Sequence, residues 1–290
     1  MRSHRAKAGL RAGHGRRATA APPAVLRRAA LAVALAAAAP ALPAAAAERL
    51  AVLSSDVAEI VVALGKAGEV VARDRSSTMP ELAGAADIGT SRAIAAEPVL
   101  RTRPTLALGT DIVQPPTVFG QLEKLGVHAV KLGGKADGSD FAEVVREVGR
   151  LIGAPDAADR LAADWTRRMT PAAPSNVRVL VTYEGKTMAG RDTPADTLIR
   201  AAGAVNAAAG IDGYKQVNPE ALVGMAPDVI LVAEHNRSVY GGLDRLKARA
   251  DVAATPAGRS GKVFEMPVHQ IFTVNLGSPA AVQALEEKFR

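Results

Sequence analysis

The chain makes the same helix-to-strand transition twice, 123 positions apart, and a polypeptide that does so is constrained to build two similar halves. Glu97 opens the run Glu-Pro-Val-Leu-Arg-Thr-Arg-Pro-Thr-Leu-Ala-Leu, and Glu220 opens Glu-Ala-Leu-Val-Gly-Met-Ala-Pro-Asp-Val-Ile-Leu. In each, an acidic residue begins a short apolar-periodic segment, a proline follows seven positions later (Pro104, Pro227), and a β-type apolar run comes next. The spacing is too long for a solenoid unit and points to two lobes built on one plan.

The surrounding pattern fits that reading. Leu50 to Leu53 reads as a short apolar strand, and Ser54-Ser55-Asp56 supplies capping side chains for a helix that runs through Val57, Ile60, Val61 and Leu64 to a stop at Gly65. Further strands are expected at Val70 to Ala72, Thr105 to Leu108 and Ala129 to Leu132, with a helix at Val118 to Leu125. From Ser139 to Met169 apolar residues recur at helical spacing, broken once at Gly153-Ala154-Pro155, so two consecutive helices are predicted, the second a long spine. Beyond it come a strand at Val177 to Thr182, helices at Pro194 to Ala202 and Pro219 to Met225, and a strand at Val229 to Val232. A helix at Leu243 to Ala248, a strand at Val263 to Met266 and a helix at Pro279 to Phe289 complete the pattern. Strands alternating with helices imply parallel sheets covered on both faces, with ligands beyond the carboxyl ends of the strands. The predicted fold is α/β: two Rossmann-like lobes with parallel sheets, joined by a long helix, with a ligand cleft between the lobes. The expected divisions are a signal peptide at 1–47, an N-terminal lobe at 48–150, a connecting helix at 151–170 and a C-terminal lobe at 171–290.

The formal charge of +7 is misleading about partners. Eight of the 36 basic residues lie in the first 47 positions, which hold no acidic residue, so the remainder carries 28 basic against 29 acidic groups. A near-neutral body lacks the basic footprint of a nucleic-acid binder. The first 47 residues have the tripartite form of an export signal: basic residues ending in Arg27-Arg28, an apolar stretch from Ala29 to Ala39, then Pro40, Pro43 and small residues up to Ala47. Removal after Ala47 would leave a soluble protein in the periplasm, expected to act as a monomer. The chain has no cysteine, which excludes disulfides, thiolate metal sites and a lipid-modified cysteine anchor. Nor does it carry a His-Glu-x-x-His helix, a Gly-x-Ser-x-Gly elbow or a glycine-rich phosphate loop, so nothing asks for catalysis.

Several blocks, in order and spacing, carry a family likeness: Asp56-Val57-Ala58-Glu59-Ile60 with Ala63-Leu64-Gly65; Gly89-Thr90-Ser91-Arg92 followed by Ala95-Ala96-Glu97; Gln114-Pro115-Pro116; Met188-Ala189-Gly190-Arg191; and Gly213-Tyr214-Lys215 before Pro219-Glu220-Ala221-Leu222. Over residues 49–290 the chain resembles the periplasmic hemin-binding proteins of ABC haem importers, within the helical-backbone class that includes cobalamin and siderophore binders. The resemblance implies a heme cargo, an ABC permease as partner, and a docking role for Glu97 and Glu220, one acid per lobe. It also implies that Thr90, Arg92, Tyr183, Met188, Arg191 and Tyr214 border the ligand.

One departure matters most. Hemin-binding relatives carry an iron-ligating tyrosine after the glycine of the Gly89 block, and this chain has Thr90 there. A phenolate is a hard anionic donor suited to ferric iron, whereas a threonine hydroxyl has no accessible anionic form near neutral pH. Three routes stay open. Another side chain reaches the iron, with Tyr183 first, then His235, Tyr240 and Met188; hemin is held by its propionates and apolar stacking alone; or the cargo is cobalamin or a ferric siderophore. Arg92 and Arg191 are the expected propionate clamps, because a guanidinium offers a carboxylate two parallel hydrogen bonds. Ile112, Val113, Pro115 and Pro116 are the expected apolar contacts. His128 is expected to begin an inner strand, and His269 to sit in a turn.

Overall fold

The strand β1 (Leu50–Val52) has no exposed surface on any residue, because its neighbours cover both faces of the sheet it centres. After it come α1 (Ser55–Ala63), β2 (Val70–Arg73), β3 (Ala86–Asp87), α2 (Ala96–Arg101), β4 (Leu106–Gly109), α3 (Thr117–Lys124) and β5 (His128–Lys131). All five strands are parallel, in the order β3-β2-β1-β4-β5. Side chains alternate between faces as a pleated strand requires: Leu50 and Val52 enter one apolar cluster, Ala51 and Leu53 another. The chain runs one way from β1 to β2 and the other way through β4, so the switch point of the sheet lies between the ends of β1 and β4. There Ser54 takes the N-cap position of α1 without capping it; its Oγ instead accepts from the Thr110 amide at 3.3 Å, and the Thr110 hydroxyl donates to Asp56 at 2.7 Å.

The structure is a computed structural model, and it describes residues 48–133, 135–170 and 173–289. The expected signal peptide lies outside them. Among the described residues no helix is long and apolar enough to cross a membrane.

Two helices follow, α4 (Phe141–Leu151) and α5 (Pro155–Met169), broken at Gly153, whose φ of 69° only glycine adopts without strain. The second half contains β6 (Arg178–Thr182), β7 (Thr187–Ala189), α6 (Pro194–Ala201), β8 (Val205–Asn206), β9 (Tyr214–Gln216), α7 (Pro219–Gly224) and β10 (Val229–Ala233). It continues with α8 (Arg237–Tyr240), α9 (Leu243–Ala248), α10 (Ala250–Ala253), α11 (Pro256–Ser260), β11 (Val263–Met266), α12 (Val268–Ile271) and α13 (Ser278–Phe289). Its sheet is ordered β11-β10-β6-β7-β9, with β8 also paired to β6. Here the expectation of parallel sheets is corrected. β6, β10 and β11 are parallel, but β7 and β9 run antiparallel. The connection from Tyr183 to Lys186 is too short for a crossover helix, and Gly185 at φ 83° turns the chain straight back. His128 is corrected as well: β5 is an edge strand and His128 is exposed. His269 lies on α12 rather than in a turn.

The repeat read in the sequence is a repeat of topology. α2 leads into β4, which pairs beside β1, and α7 leads into β10, which pairs beside β6. The residue before each proline, Arg103 (φ 51°) and Ala226 (φ 45°), is left-handed although neither is glycine. Each donates its amide to the carbonyl three residues back, Leu100 and Val223 respectively, both at 3.0 Å.

One apolar cluster runs through both halves. It takes Leu50, Leu106 and Leu108 from the first sheet, Val179, Val181 and Leu231 from the second, and Phe141, Val145, Trp165, Leu198 and Val282 from helices around them. Phe141 and Trp165 pack with ring centroids 5.1 Å apart, and Trp165 Nε1 donates to the Asn275 carbonyl at 2.9 Å. Helix α5 is thereby fixed to both halves, which leaves less freedom than a pair of flexible linking strands would give.

Candidate functional site

The cleft residues are assembled from strand ends. In the first half, β3 ends at Asp87, and Gly89 at φ 98° redirects the chain into Thr90-Ser91-Arg92. Asp87 holds this turn: its carboxylate accepts from the Gly89 amide at 2.8 Å and from Arg75 Nε at 3.1 Å, while the Arg75 amide donates to the Gly89 carbonyl at 2.7 Å. The loop is also laced to the segment after β4, since the Gln114 amide donates to Ser91 and the Gln114 carbonyl accepts from Ile94. Ser91 is buried, and Thr90 and Arg92 are exposed.

In the second half, Tyr183 follows β6 and His235 follows its parallel neighbour β10, so both leave the carboxyl edge of the sheet side by side. The Tyr183 ring stacks on Phe272 at 4.0 Å and 13°, lies 5.4 Å from Tyr214, and meets His235 edge-on at 6.3 Å. The Asn236 side chain donates to the Tyr183 carbonyl at 3.1 Å, tying the two strand ends together. Tyr214 arrives from β9, in register with Ala189. Burial raises the Tyr183 phenol, opposed first by the neighbouring Tyr214 hydroxyl and then by the positive charge of Arg92. Desolvation of its hydroxyl also pushes the Tyr214 phenol up strongly, with Tyr183 adding to it, although the residue as a whole is 40 % exposed. The arrangement is an aromatic wall with a phenol in its middle and a guanidinium acting on it from the other half.

The sequence-predicted residues divide. Tyr183, Tyr214 and His235 meet at this edge, while Thr90 and Arg92 lie in the exposed turn after β3, from which the Arg92 charge acts on the Tyr183 phenol. Met188 does not join them: it has no exposed surface and packs with Leu180, Ile230 and Val232 in the core. Tyr240 is also corrected, because it is buried with its hydroxyl donating to Glu265 at 2.6 Å, and burial with that carboxylate pushes its pKa up to about 12. Val113 belongs to the first core rather than the cleft surface. Arg191 is exposed but already ion-paired with Asp212 through Nε at 3.0 Å, so a ligand carboxylate would compete with a resident one. Phe272, only 7 % exposed, was missed because it lies beyond the last strand and nothing local marks it as a partner of Tyr183.

Glu97 and Glu220 occupy the first turns of α2 and α7, where a carboxylate is favoured by the helix dipole. Both are exposed; Glu97 pairs loosely with Arg101 at 3.6 Å, and Asn218 caps α7 by accepting from Ala221 at 2.8 Å. Beside each acid-bearing helix lies an open cavity, of about 610 Å³ next to α2 and about 660 Å³ next to α7.

Residues 50–269 match the model of the periplasmic binding protein family. The chain is a periplasmic binding protein. Solved structures of this family share its fold over nearly their entire length. The periplasmic heme-binding protein BhuT, in complex with two hemes, is 30 % identical with a TM-score of 0.73, over 83 % of this chain and 97 % of that one. The periplasmic heme-binding protein RhuT from Roseiflexus sp. RS-1, in apo form, is 30 % identical with a TM-score of 0.71, over 84 % and 98 %. The periplasmic heme-binding protein HutB of Vibrio cholerae is 28 % identical with a TM-score of 0.73, over 83 % and 98 %. No match was found among curated protein sequences.

Proposed function

We propose that this periplasmic binding protein captures hemin between its two halves and delivers it to an ABC permease, with Tyr183 as the iron ligand in place of the residue that Thr90 has lost. The observation that carries the reading is the Tyr183 phenol, its ring fixed by Phe272, Tyr214 and His235 and its oxygen in the field of Arg92. A phenolate suits ferric iron, a flat aromatic wall suits a porphyrin, and an exposed guanidinium suits a propionate. His235, one strand over, is the second donor on the same wall. Arg191 serves less well, since Asp212 already holds it. Glu97 and Glu220 are the docking acids. The work is capture and release in the periplasm by a monomer, with no bond of the cargo made or broken.

Titration of the purified protein with hemin, followed in the Soret region, tests this. Wild type should saturate, and Tyr183→Phe should lose the phenolate charge-transfer absorption. Arg92→Ala should weaken binding roughly ten- to a hundredfold, the worth of a hydrogen bond to a charged group. A Tyr183→Phe variant with the wild-type spectrum and affinity removes Tyr183 from the iron. Cobalamin and ferric siderophores need no axial side chain, so a protein that ignores hemin but is stabilised by one of these would carry that cargo instead.

A further inference from the structure

Phe272 differs from the other rings around the Tyr183 phenol in being anchored in the core. Tyr214 and His235 are exposed, whereas Phe272 is buried and belongs to the apolar cluster that runs through both halves. It also makes the closest and flattest contact, face to face at 4.0 Å and 13°, against 5.4 Å for Tyr214 and 6.3 Å for His235. The Tyr183 backbone is set independently of this stack, since its amide donates to the Thr187 carbonyl and its carbonyl accepts from the Asn236 side chain, both at 3.1 Å. Those bonds leave the side chain its choice of staggered rotamers, and a change of rotamer swings the phenol oxygen away. A ring face pressed on an immobile neighbour removes that choice.

Phe272 is itself held from behind. Its amide closes α12 by donating to the Val268 carbonyl at 2.8 Å, and the His269 carbonyl accepts from the Thr273 hydroxyl at 2.9 Å and from the Asn275 side chain at 3.3 Å. Asn275 then meets the spine: its carbonyl accepts from Trp165 Nε1 of α5 at 2.9 Å, and its amide donates to the Ser278 hydroxyl at 2.9 Å. Between them, Val274 lies against Gly138 in the segment that leads from β5 to α4, so close that a Cβ on Gly138 would fall 2.6 Å from the Val274 Cβ. Residues 272–275 thus form a brace with the Tyr183 ring at one end and α5 at the other. Phe272 cannot follow the phenol if it swings, so the phenol stays where the brace puts it.

We propose that Phe272 is a positioning residue for the iron ligand, and that it sets the preference of the site for hemin over iron-free porphyrin. This rests on the reading of Tyr183 as the ligand. A bond from phenolate to iron depends on the oxygen being held at one place over the metal, which a ligand achieves only when its own rotamer is locked by the packing behind it. Propionate pairing and stacking on the macrocycle depend on charge and area, and they survive a phenol that moves. Phe272 therefore acts through Tyr183 and through the metal, and a porphyrin without iron is blind to it.

The test titrates the purified protein with hemin and, separately, with iron-free protoporphyrin. Phe272→Leu and Phe272→Met keep apolar bulk without a ring face, and Phe272→Tyr keeps the face. Protoporphyrin binding by each variant also reports that it is folded. The ratio of hemin affinity to protoporphyrin affinity should fall about two- to tenfold in the leucine and methionine variants, the worth of an aromatic pair, with a weakened phenolate-to-iron absorption, and Phe272→Tyr should restore both. If Tyr183→Phe loses the absorption but Phe272→Leu and Phe272→Met leave the ratio and the spectrum as in wild type, or weaken both ligands by one factor, Tyr183 stands as the ligand and Phe272 is packing alone. If Tyr183→Phe keeps the wild-type absorption and ratio, the iron is held elsewhere and both readings fall.

Discussion

Gly190 is the joint on which the position of Tyr214 depends, and replacing it with alanine tests whether backbone proximity or side-chain packing holds the second wall of the cleft. An added Cβ would lie 2.1 Å from the Ile211 carbonyl oxygen and 2.7 Å from its carbon. Ordinary contact begins at 3.4 Å, so the Ile211 backbone must retreat by about 1.3 Å. It is not free to do so without cost. The Gly190 amide donates to Gly213 at 2.8 Å, the Arg191 amide to Ile211 at 2.7 Å, and the Gly213 amide to Arg191 at 2.9 Å. Losing two or three such bonds costs about 2–3 kcal/mol, and at about 2–4 °C per kcal/mol for a chain of this size the Tm should fall by roughly 4–12 °C. Gly210→Ala is the control one residue away from Ile211, since its Cβ meets nothing within 4 Å. Calorimetry of the two variants is the assay, with hemin affinity as the second readout: Gly190→Ala should weaken it by moving Tyr214, and Gly210→Ala should not. A Gly190→Ala protein that melts within 1 °C of wild type, or no lower than Gly210→Ala, would refute the reasoning.

Two other expectations follow from local physics. Ala226 is left-handed at φ 45°, a conformation that costs a side chain about 1–2 kcal/mol, so Ala226→Gly should raise the Tm by a few degrees despite the extra freedom glycine gives the unfolded chain; a lowered Tm would mean that the Ala226 methyl contributes packing worth more than the strain. Glu59 is half-buried in α1, and burial raises its carboxyl above the ordinary value, with Asp56 adding to the rise and the Leu276 backbone opposing it. A raised folded pKa makes its contribution full below the unfolded value of 4.5 and lost as pH climbs through the folded one, so Glu59→Gln should stabilise the protein at pH 7 and not at pH 4; thermal melts with equal gains at both pH values would assign the effect to packing.

Much of the fold was legible because its signals are local. Buried strands such as Leu50–Val52 and Val229–Ala233 are apolar throughout, and proline at the first turn with Thr193 or Asn218 ahead of it marks where α6 and α7 begin. The antiparallel strands β7 and β9 were not legible in this way. Thr187-Met188-Ala189 is too short to show a period, and Tyr214-Lys215-Gln216 is exposed throughout, so neither carries a pattern of its own. Met188 looked like a ligand from its neighbours in the chain, but an antiparallel return turned it inward. Tyr240 followed a strand end, and a carboxylate on β11 claimed its hydroxyl.

The sequence by itself determined that there are two lobes and that each begins a strand from an acid-bearing helix, because these are properties of consecutive residues and of their periodicity; that Thr90 stands where hemin-binding relatives carry an iron-ligating tyrosine came from the family resemblance. The tertiary structure alone decided which side chains stand together. Tyr183, Tyr214, His235 and Phe272 are separated by as many as 89 positions, and they meet because parallel pairing of β6 with β10 and the antiparallel return of β7 and β9 bring distant strand ends to one edge. Pairing register is a contest among all strands for the same hydrogen bonds and the same apolar faces, and no short window of sequence contains its outcome.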